Sequence, residues 1–221
     1  MLLFAGETLV PLSCGALYWP ARATLFAADL HLEKASHFAR RGWPLPPYDS
    51  EATLTRLHQT LLETRATTLI ALGDSFHDAH GPSRLPAPAR AKLAAIAAHA
   101  QILWITGNHD DDTAAQLHGT AHESLTLGPL TLRHEADPQD PAPELSGHFH
   151  PKVTIRHKGR SVRRRCFALS PTKLILPAYG SLAGGLDLTD PAFAAAAPGA
   201  LTALIPEAGQ LLRFPVAQLA A

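Results

Sequence analysis

The sequence predicts a layered α/β fold with a ligand site at one edge of its sheet, and two observations carry that expectation. Three apolar runs, ATLFAADLH (23–31), TTLIALGD (67–74) and QILWITGNHD (101–110), each stop abruptly in Asp, His or Asn. Runs that are apolar throughout read as strands buried on both faces, the habit of parallel sheets. Helical patterns lie between them, whereas the chain beyond residue 120 reads mostly as strand. That order argues for one α/β domain over residues 1–221 rather than two. In open α/β sheets, ligands bind beyond the carboxyl ends of the strands.

The elements follow in order. LLFAG, TLVPL and GALYW give short opening strands. Residues 33–41 make a short helix that Gly42 stops, and GWPLPPYD (42–49) is a proline-rich loop. Asp49 or Ser50 caps a helix to about Arg65, with Leu54, Leu57, Leu61 and Leu62 on one face. GPSRLPAP (81–88) reads as a loop and residues 88–100 as an Ala-rich helix. ESLTLGPLTLRH (123–134) alternates as two strands around Gly128–Pro129, and residues 153–169 as another pair turning at Lys158–Gly159. TKLILPAYG (172–180) is strand-like, and PAFAAAAPGA (191–200) reads as a low-complexity surface connection. The last ~30 residues end in a hairpin, LTALIPEAGQLLRFP, with its turn near Glu207–Gln210.

Composition excludes several classes. With 46% hydrophobic and 17% charged residues, the chain is globular rather than disordered. No apolar run approaches the ~18–20 residues that span a bilayer. MLLFAGETLV lacks the basic and long apolar regions of a signal peptide. Cys14 and Cys166 match no metal or redox spacing, which favours free thiols in a reducing cytoplasm. Basic and acidic residues balance at 19 each, so any argument for a polyanionic partner must be local.

Histidine is the unusual residue, with 13 in 221. The chemistry-bearing clusters are Asp29-Leu-His31, Gly73-Asp74 with His77 and Asp78, Gly107-Asn108-His109-Asp110, His134, and Gly147-His148-Phe149-His150. Each alone is weak, since Gly, Asn and Asp also make ordinary turns. Together they supply carboxylates, imidazoles and an amide oxygen. That set suits Mn²⁺, Fe or Zn²⁺ and lacks the thiolates of a structural zinc site. It is large enough for two ions about 3.5–4 Å apart, the spacing of two-metal phosphoryl chemistry. Gly73 and Gly107 would let the backbone turn sharply before the next side chain.

The ordered set D-x-H, G-D-x-x-H, G-N-H-D, H, G-H-x-H resembles the calcineurin-like metallophosphoesterase superfamily over residues 29–150. The resemblance implies a four-layered α/β/β/α sandwich with mixed sheets and helices on the outer faces. It also implies that Asp29, His31, Asp74 and His150 hold one metal, that Asp74 bridges, and that Asn108, His134 and His148 hold the other. His109 would stabilise transition-state charge and protonate the leaving oxygen once hydroxide held between the metals attacks phosphorus. Asp110 would orient His109 or serve packing. Many of these phosphatases carry Asp three residues after the bridging Asp, where this chain has His77. GD-x-F-H is similar to the DNA-repair nuclease branch, in which His77 would contact the phosphodiester; the alternative is a buttress for its loop.

DLHLEK, GDSFHD, SGHFHP before a basic hairpin, and CFAL before LILPAYGSLAGG extend the likeness along nearly the whole chain. In these stretches the chain resembles the bacterial DNA ligase-associated phosphoesterase (PdeM) family. That implies a DNA endonuclease or phosphodiesterase grouped with a DNA ligase, an exonuclease and a helicase. Residues 152–165 hold Lys152, Arg156, Lys158, Arg160, Arg163, Arg164 and Arg165, seven of the chain's 19 basic residues. A strand rising ~3.3 Å per residue puts their turn about 25 Å from His150, which suits a polyanion groove. Charge that protects an edge strand is the alternative. Trp43, Tyr48 and Tyr179 are expected to pack at core or rim, with base stacking as the other reading. The competing functions are a small-molecule phosphomonoesterase or nucleotide pyrophosphohydrolase, and a non-catalytic repair scaffold.

Overall fold

The structure, a computed structural model, describes residues 1–109 and 118–218. Its first half runs β1 (Leu2–Phe4), β2 (Glu7–Pro11), β3 (Leu17–Trp19), β4 (Thr24–Ala28), α1 (Lys34–Ala39), α2 (Asp49–Thr64), β5 (Thr68–Leu72), α3 (Gly81–Arg84), α4 (Ala87–His99), β6 (Gln101–Ile105) and β7 (Thr120–His122). The second half runs β8 (Ser124–Leu127), β9 (Leu130–Arg133), β10 (Glu144–Ser146), β11 (Lys152–His157), β12 (Arg160–Arg165), β13 (Phe167–Leu169), β14 (Lys173–Ile175), α5 (Pro191–Ala196), β15 (Thr202–Glu207) and β16 (Gln210–Pro215).

β1 to β7 form one sheet in sequence order, antiparallel up to β4 and parallel from β4 to β7. The second sheet is ordered β16-β15-β13-β14-β10-β9-β8, with β14, β10 and β9 mutually parallel at its centre. β11 and β12 stand apart as a two-stranded hairpin.

Side-chain alternation along the parallel strands assigns the layers. Leu25, Ala27, Leu69 and Ala71 face outward onto Leu54, Leu57 and Leu61 of α2 and Leu93 and Ile96 of α4. Phe26, Ile70, Leu72 and Ile105 face the second sheet, meeting Leu132, Leu145, Phe167 and Leu174. Ala168, Ile175, Ala203 and Ile205, on the far face of that sheet, pack on Phe193 and Ala196 of α5. The expected α/β/β/α sandwich is therefore present, with a thin fourth layer. Each fully buried Leu, Ile or Phe in these interfaces contributes about 1.5–3 kcal/mol of hydrophobic stabilisation.

Four local expectations need correction. Residues 191–196 are helix, not a bare connection: Pro191 opens it and the Asp190 carboxylate accepts the Ala192 N–H at 2.9 Å. Its apolar side is needed to cover the second sheet. GPSR is a one-turn helix rather than loop. Leu62 is exposed, because one residue past Leu61 turns it about 100° off the buried stripe. Neither Asp49 nor Ser50 caps α2, whose N-cap is Tyr48 without a side-chain bond. Asp49 Oδ2 accepts the Ala35 N–H at 3.0 Å, and Ser50 Oγ accepts the Glu33 N–H at 2.8 Å. Tertiary partners have taken these side chains, and they pin the segment that leaves β4. Among the described residues no helix is long and apolar enough to cross a membrane.

Candidate metal centre

β4, β5 and β6 are adjacent and in register at their ends, with Ala28 beside Leu72 and Leu72 beside Ile105. The residues that follow therefore emerge side by side: Asp29 and His31, then Gly73 and Asp74, then Asn108 and His109. From the second sheet, the parallel neighbours β9 and β10 end at His134 and at SGHFHP.

These segments meet in two groups that share Asp29. Asp29, His31 and His150 form one, and Asp29, Asp74 and His134 the other. His31 Nε2 and His150 Nε2 lie 3.2 Å apart, and His148 Nδ1 lies 3.1 Å from His134 Nε2. The bend after β10 thus splays the two imidazoles of SGHFHP to opposite sides, while Phe149 packs on Phe193 beneath. Asp74 also spans the pair, 3.9 Å from His31 Nε2 and 3.5 Å from His134 Nε2. The carboxylate common to both groups in this structure is Asp29, whereas the sequence resemblance gave the bridging place to Asp74.

The backbone explains how so many donors converge. Asp29, His31, Glu33, Asp74, His148 and His150 all have positive φ, between 43° and 71°. Left-handed conformation costs a non-glycine residue about 1–3 kcal/mol and persists only where surroundings impose it. Here the strand ladder continues through it: His31 N–H donates to Asp74 O at 2.9 Å, Leu32 N–H to Ser75 O at 2.9 Å, and His77 N–H to Leu32 O at 2.9 Å. The His148 N–H donates to both Asp29 oxygens, at 3.1 and 3.0 Å.

Glycine makes room at three points. A side chain at Gly73, already at φ +73°, would overlap the His134 ring, and one at Gly147 would meet the Asp29 carboxylate. Gly107 differs from expectation: it has no positive φ, and its role is close approach, because a Cβ there would overlap the backbone and carboxylate of Asp74. Gly73→Ala is expected to displace His134 and destabilise the fold by about 1–3 kcal/mol. Chemical denaturation and metal analysis together check this, since a variant keeping wild-type stability and metal content would contradict the packing.

Asp29 is fully buried and Asp74 is 4% exposed, and among the described residues no lysine or arginine pairs with either. His31 cannot supply the missing charge, because burial, then His150, pushes its pKa down to about 2. Buried charges are either paired or coordinate metal ions. A neutral imidazole presents the lone pair that such an ion needs. The donor set therefore fits divalent metal.

His109 stands at the rim with its side chain 48% exposed. Its N–H donates to Asp74 Oδ1 at 3.0 Å, and its Nε2 lies 4.0 Å from Asp74 Oδ2. The His77 ring stacks on it at 5.5 Å and also meets His31 edge-on at 5.5 Å. Burial, then Lys34, lowers the His77 pKa to about 4, so this ring is neutral at pH 7. Asn108 is exposed at the β6 end, and Asp110 lies outside the described residues.

Of the basic hairpin, Arg156, Lys158, Arg160, Arg163 and Arg164 are exposed. Arg165 is partly buried and donates to Gly180 O at 3.2 Å, while the Gly180 N–H donates to Asp29 O at 3.1 Å. The base of the hairpin is thus tied to the centre. A second link runs through Asp78, which the sequence groups with His77 without showing its partners. Its carboxylate accepts from both Arg84 guanidinium nitrogens at 2.9 and 2.7 Å and lies 2.6 Å from His37 Nδ1. Arg84 holds its carboxyl well below the usual range. The His37 ring in turn packs edge-on to His77 at 4.6 Å.

The chain is similar to the crystal structure of Pseudomonas putida nuclease MPE, with 31% identity over 96% of this chain and 98% of that one, and a TM-score of 0.72. The chain is a calcineurin-like metallophosphoesterase of the PdeM type. This metallophosphoesterase is a metal-dependent phosphoester hydrolase, and its Asp/His groups are candidate sites for divalent ions. It is also matched, at 16% identity over 86% of this chain and 97% of that one, by the phosphoesterase Yfce from E. coli, with a TM-score of 0.45. Vacuolar Protein Sorting 29 from Cryptosporidium parvum follows at 14% identity over 87% and 95%, with a TM-score of 0.34. No family model matches the chain, and no curated protein does.

Proposed function

We propose that this metallophosphoesterase hydrolyses phosphodiester bonds of DNA with two divalent ions, Mn²⁺ in preference to Fe or Zn²⁺. The observation that carries the reading is the near full-length similarity to a nuclease, Pseudomonas putida MPE. The donor set of oxygen and imidazole nitrogen without thiolate suits any of these three ions, and its carboxylates and amide oxygen supply the oxygen ligands that Mn²⁺ takes. Asp29, His31, Asp74 and His150 would hold one ion, and Asp74, Asn108, His134 and His148 the other, with Asp29 placed to serve both. Bound there, such ions neutralise phosphate charge and supply water of lowered pKa.

The protein's own groups do the rest. His109 is tethered through its N–H to Asp74, which leaves its ring free to reach a phosphate above the carboxylates. An imidazole at that rim donates the proton that a departing alkoxide needs near neutral pH. His77, stacked on His109, restricts the ring's orientation and faces the same rim. Asp110 would orient His109 from the following residue. Exposed Arg156, Lys158, Arg160, Arg163 and Arg164 offer a cationic strip for a strand's phosphates. The reading places the enzyme in the cytoplasm, beside the DNA ligase, exonuclease and helicase of a repair system. Two free cysteines are in keeping with that compartment.

The test compares Mn²⁺-loaded protein on a phosphodiester and a phosphomonoester with the same leaving group, then on DNA oligonucleotides. Diester cleavage should dominate. Preferential monoester cleavage would replace this reading with a phosphatase.

A further inference from the structure

Next to the centre lies a cleft of about 430 Å³ between the C-terminal end of α1 and α3, lined by His37, Arg40, Arg41, Asp78, His80 and Arg84. It opens beside the catalytic rim: His37 packs on His77 at 4.6 Å, and His77 on His109 at 5.5 Å. Among the described residues that line it, the one carboxylate is already neutralised, because Asp78 is held by Arg84 through two hydrogen bonds. Arg40 and Arg41 are exposed, and among the described residues neither pairs with a carboxylate. The cleft therefore carries uncompensated positive charge.

The loop that follows adds a second, unlike feature. Gly42, at φ +81°, reverses the chain after α1, and Trp43 comes next with 71% of its surface exposed. Tyr48, in the same loop, is 69% exposed. Both were expected to pack at core or rim, and they do not, whereas Tyr179 is fully buried. Adjacent free guanidinium groups and an exposed indole match the two faces of a nucleotide, phosphate and base.

We propose that Arg40, Arg41 and Trp43 form a subsite for the nucleotide flanking the scissile bond, the arginines holding its phosphate and the indole stacking its base. This rests on the DNA reading above and adds where the strand runs: across α1, on the His37 side of the rim. The subsite is distinct from the hairpin strip, which meets the centre at Gly180.

Two measurements on the full chain test it. Trp19 and Trp104 are buried, so Trp43 is the exposed tryptophan of the chain's three. A single-stranded DNA oligonucleotide should quench its fluorescence, and Trp43→Phe should abolish the quench. In Mn²⁺-dependent kinetics, the Arg40→Ala/Arg41→Ala variant should raise KM for the oligonucleotide about tenfold or more. Loss of one to two phosphate contacts should also flatten the salt dependence of log affinity by roughly 0.7–1.4. Its kcat/KM on bis(p-nitrophenyl) phosphate should stay within about twofold, because that diester has no flanking nucleotide. Unchanged oligonucleotide KM in the variant, or equal loss on both substrates, overturns the subsite while leaving the DNA reading standing. Wild-type protein that cleaves the small diester but neither binds nor cleaves the oligonucleotide overturns both.

Discussion

His109→Ala is expected to lower kcat on DNA by about 10²–10⁴-fold, the usual contribution of a positioned general acid. The loss should depend on the leaving group. A deoxyribose alkoxide cannot depart without a proton, whereas a nitrophenolate can. The same variant should therefore lose far less on bis(p-nitrophenyl) phosphate than on DNA. Metal content and melting temperature should stay close to wild-type values, because the ring is half exposed and the hydrogen bond to Asp74 comes from the main-chain N–H, which alanine keeps. Equal losses on both substrates would assign His109 to phosphate charge rather than to proton transfer. Loss of metal would make it a ligand.

Asp29→Asn should have the larger effect on metal binding. Asp29 belongs to both ligand groups and holds the His148 main chain with both oxygens. In wild-type protein, Mn²⁺ at 100 times its Kd should stabilise the fold by about 2.7 kcal/mol. For a chain of this size that is roughly 5–11 °C in Tm. In the variant the shift should nearly vanish, and turnover with it. The metal-free variant should melt higher than metal-free wild type, because a buried charge without a cationic partner has been removed. A variant that keeps the full Mn²⁺-dependent shift would show that Asp74 alone suffices to bridge.

Much of the centre was legible because its candidate ligands sit at strand ends, and strand ends show in sequence. Leu25–Ala28, Leu69–Leu72 and Ile102–Ile105 are apolar on both faces, so the polar residue that stops each run marks where the sheet edge opens. SGHFHP was legible as a break, from its glycine and proline. The left-handed backbone at Asp29, His31, Asp74, His148 and His150 was not, since residue type only weakly favours that conformation and tertiary hydrogen bonds impose it. Asp49 and Ser50 look like helix caps to any local rule, and only the fold reveals that Glu33 and Ala35 claim them. Residues 191–196 were obscured by their alanines, although Asp190-Pro191 is a start signal that composition drowned out. Trp43 defeated the reading differently: an aromatic residue suggests core by default, and exposure is a property of the surroundings rather than of the residue.

His31 and His150 touch across 119 residues of chain, as do Asp29 and the His148 N–H. Closing a loop of that length costs about 4 kcal/mol of chain entropy, which must be met by packing one sheet on the other. A nascent chain halted before residue 146 already carries Asp29, Asp74 and His134 of one group but lacks His150, the imidazole that completes the other. Completion of the paired site is therefore a late event in the life of each molecule, and a truncated or half-assembled copy has little means of becoming a stray phosphoesterase.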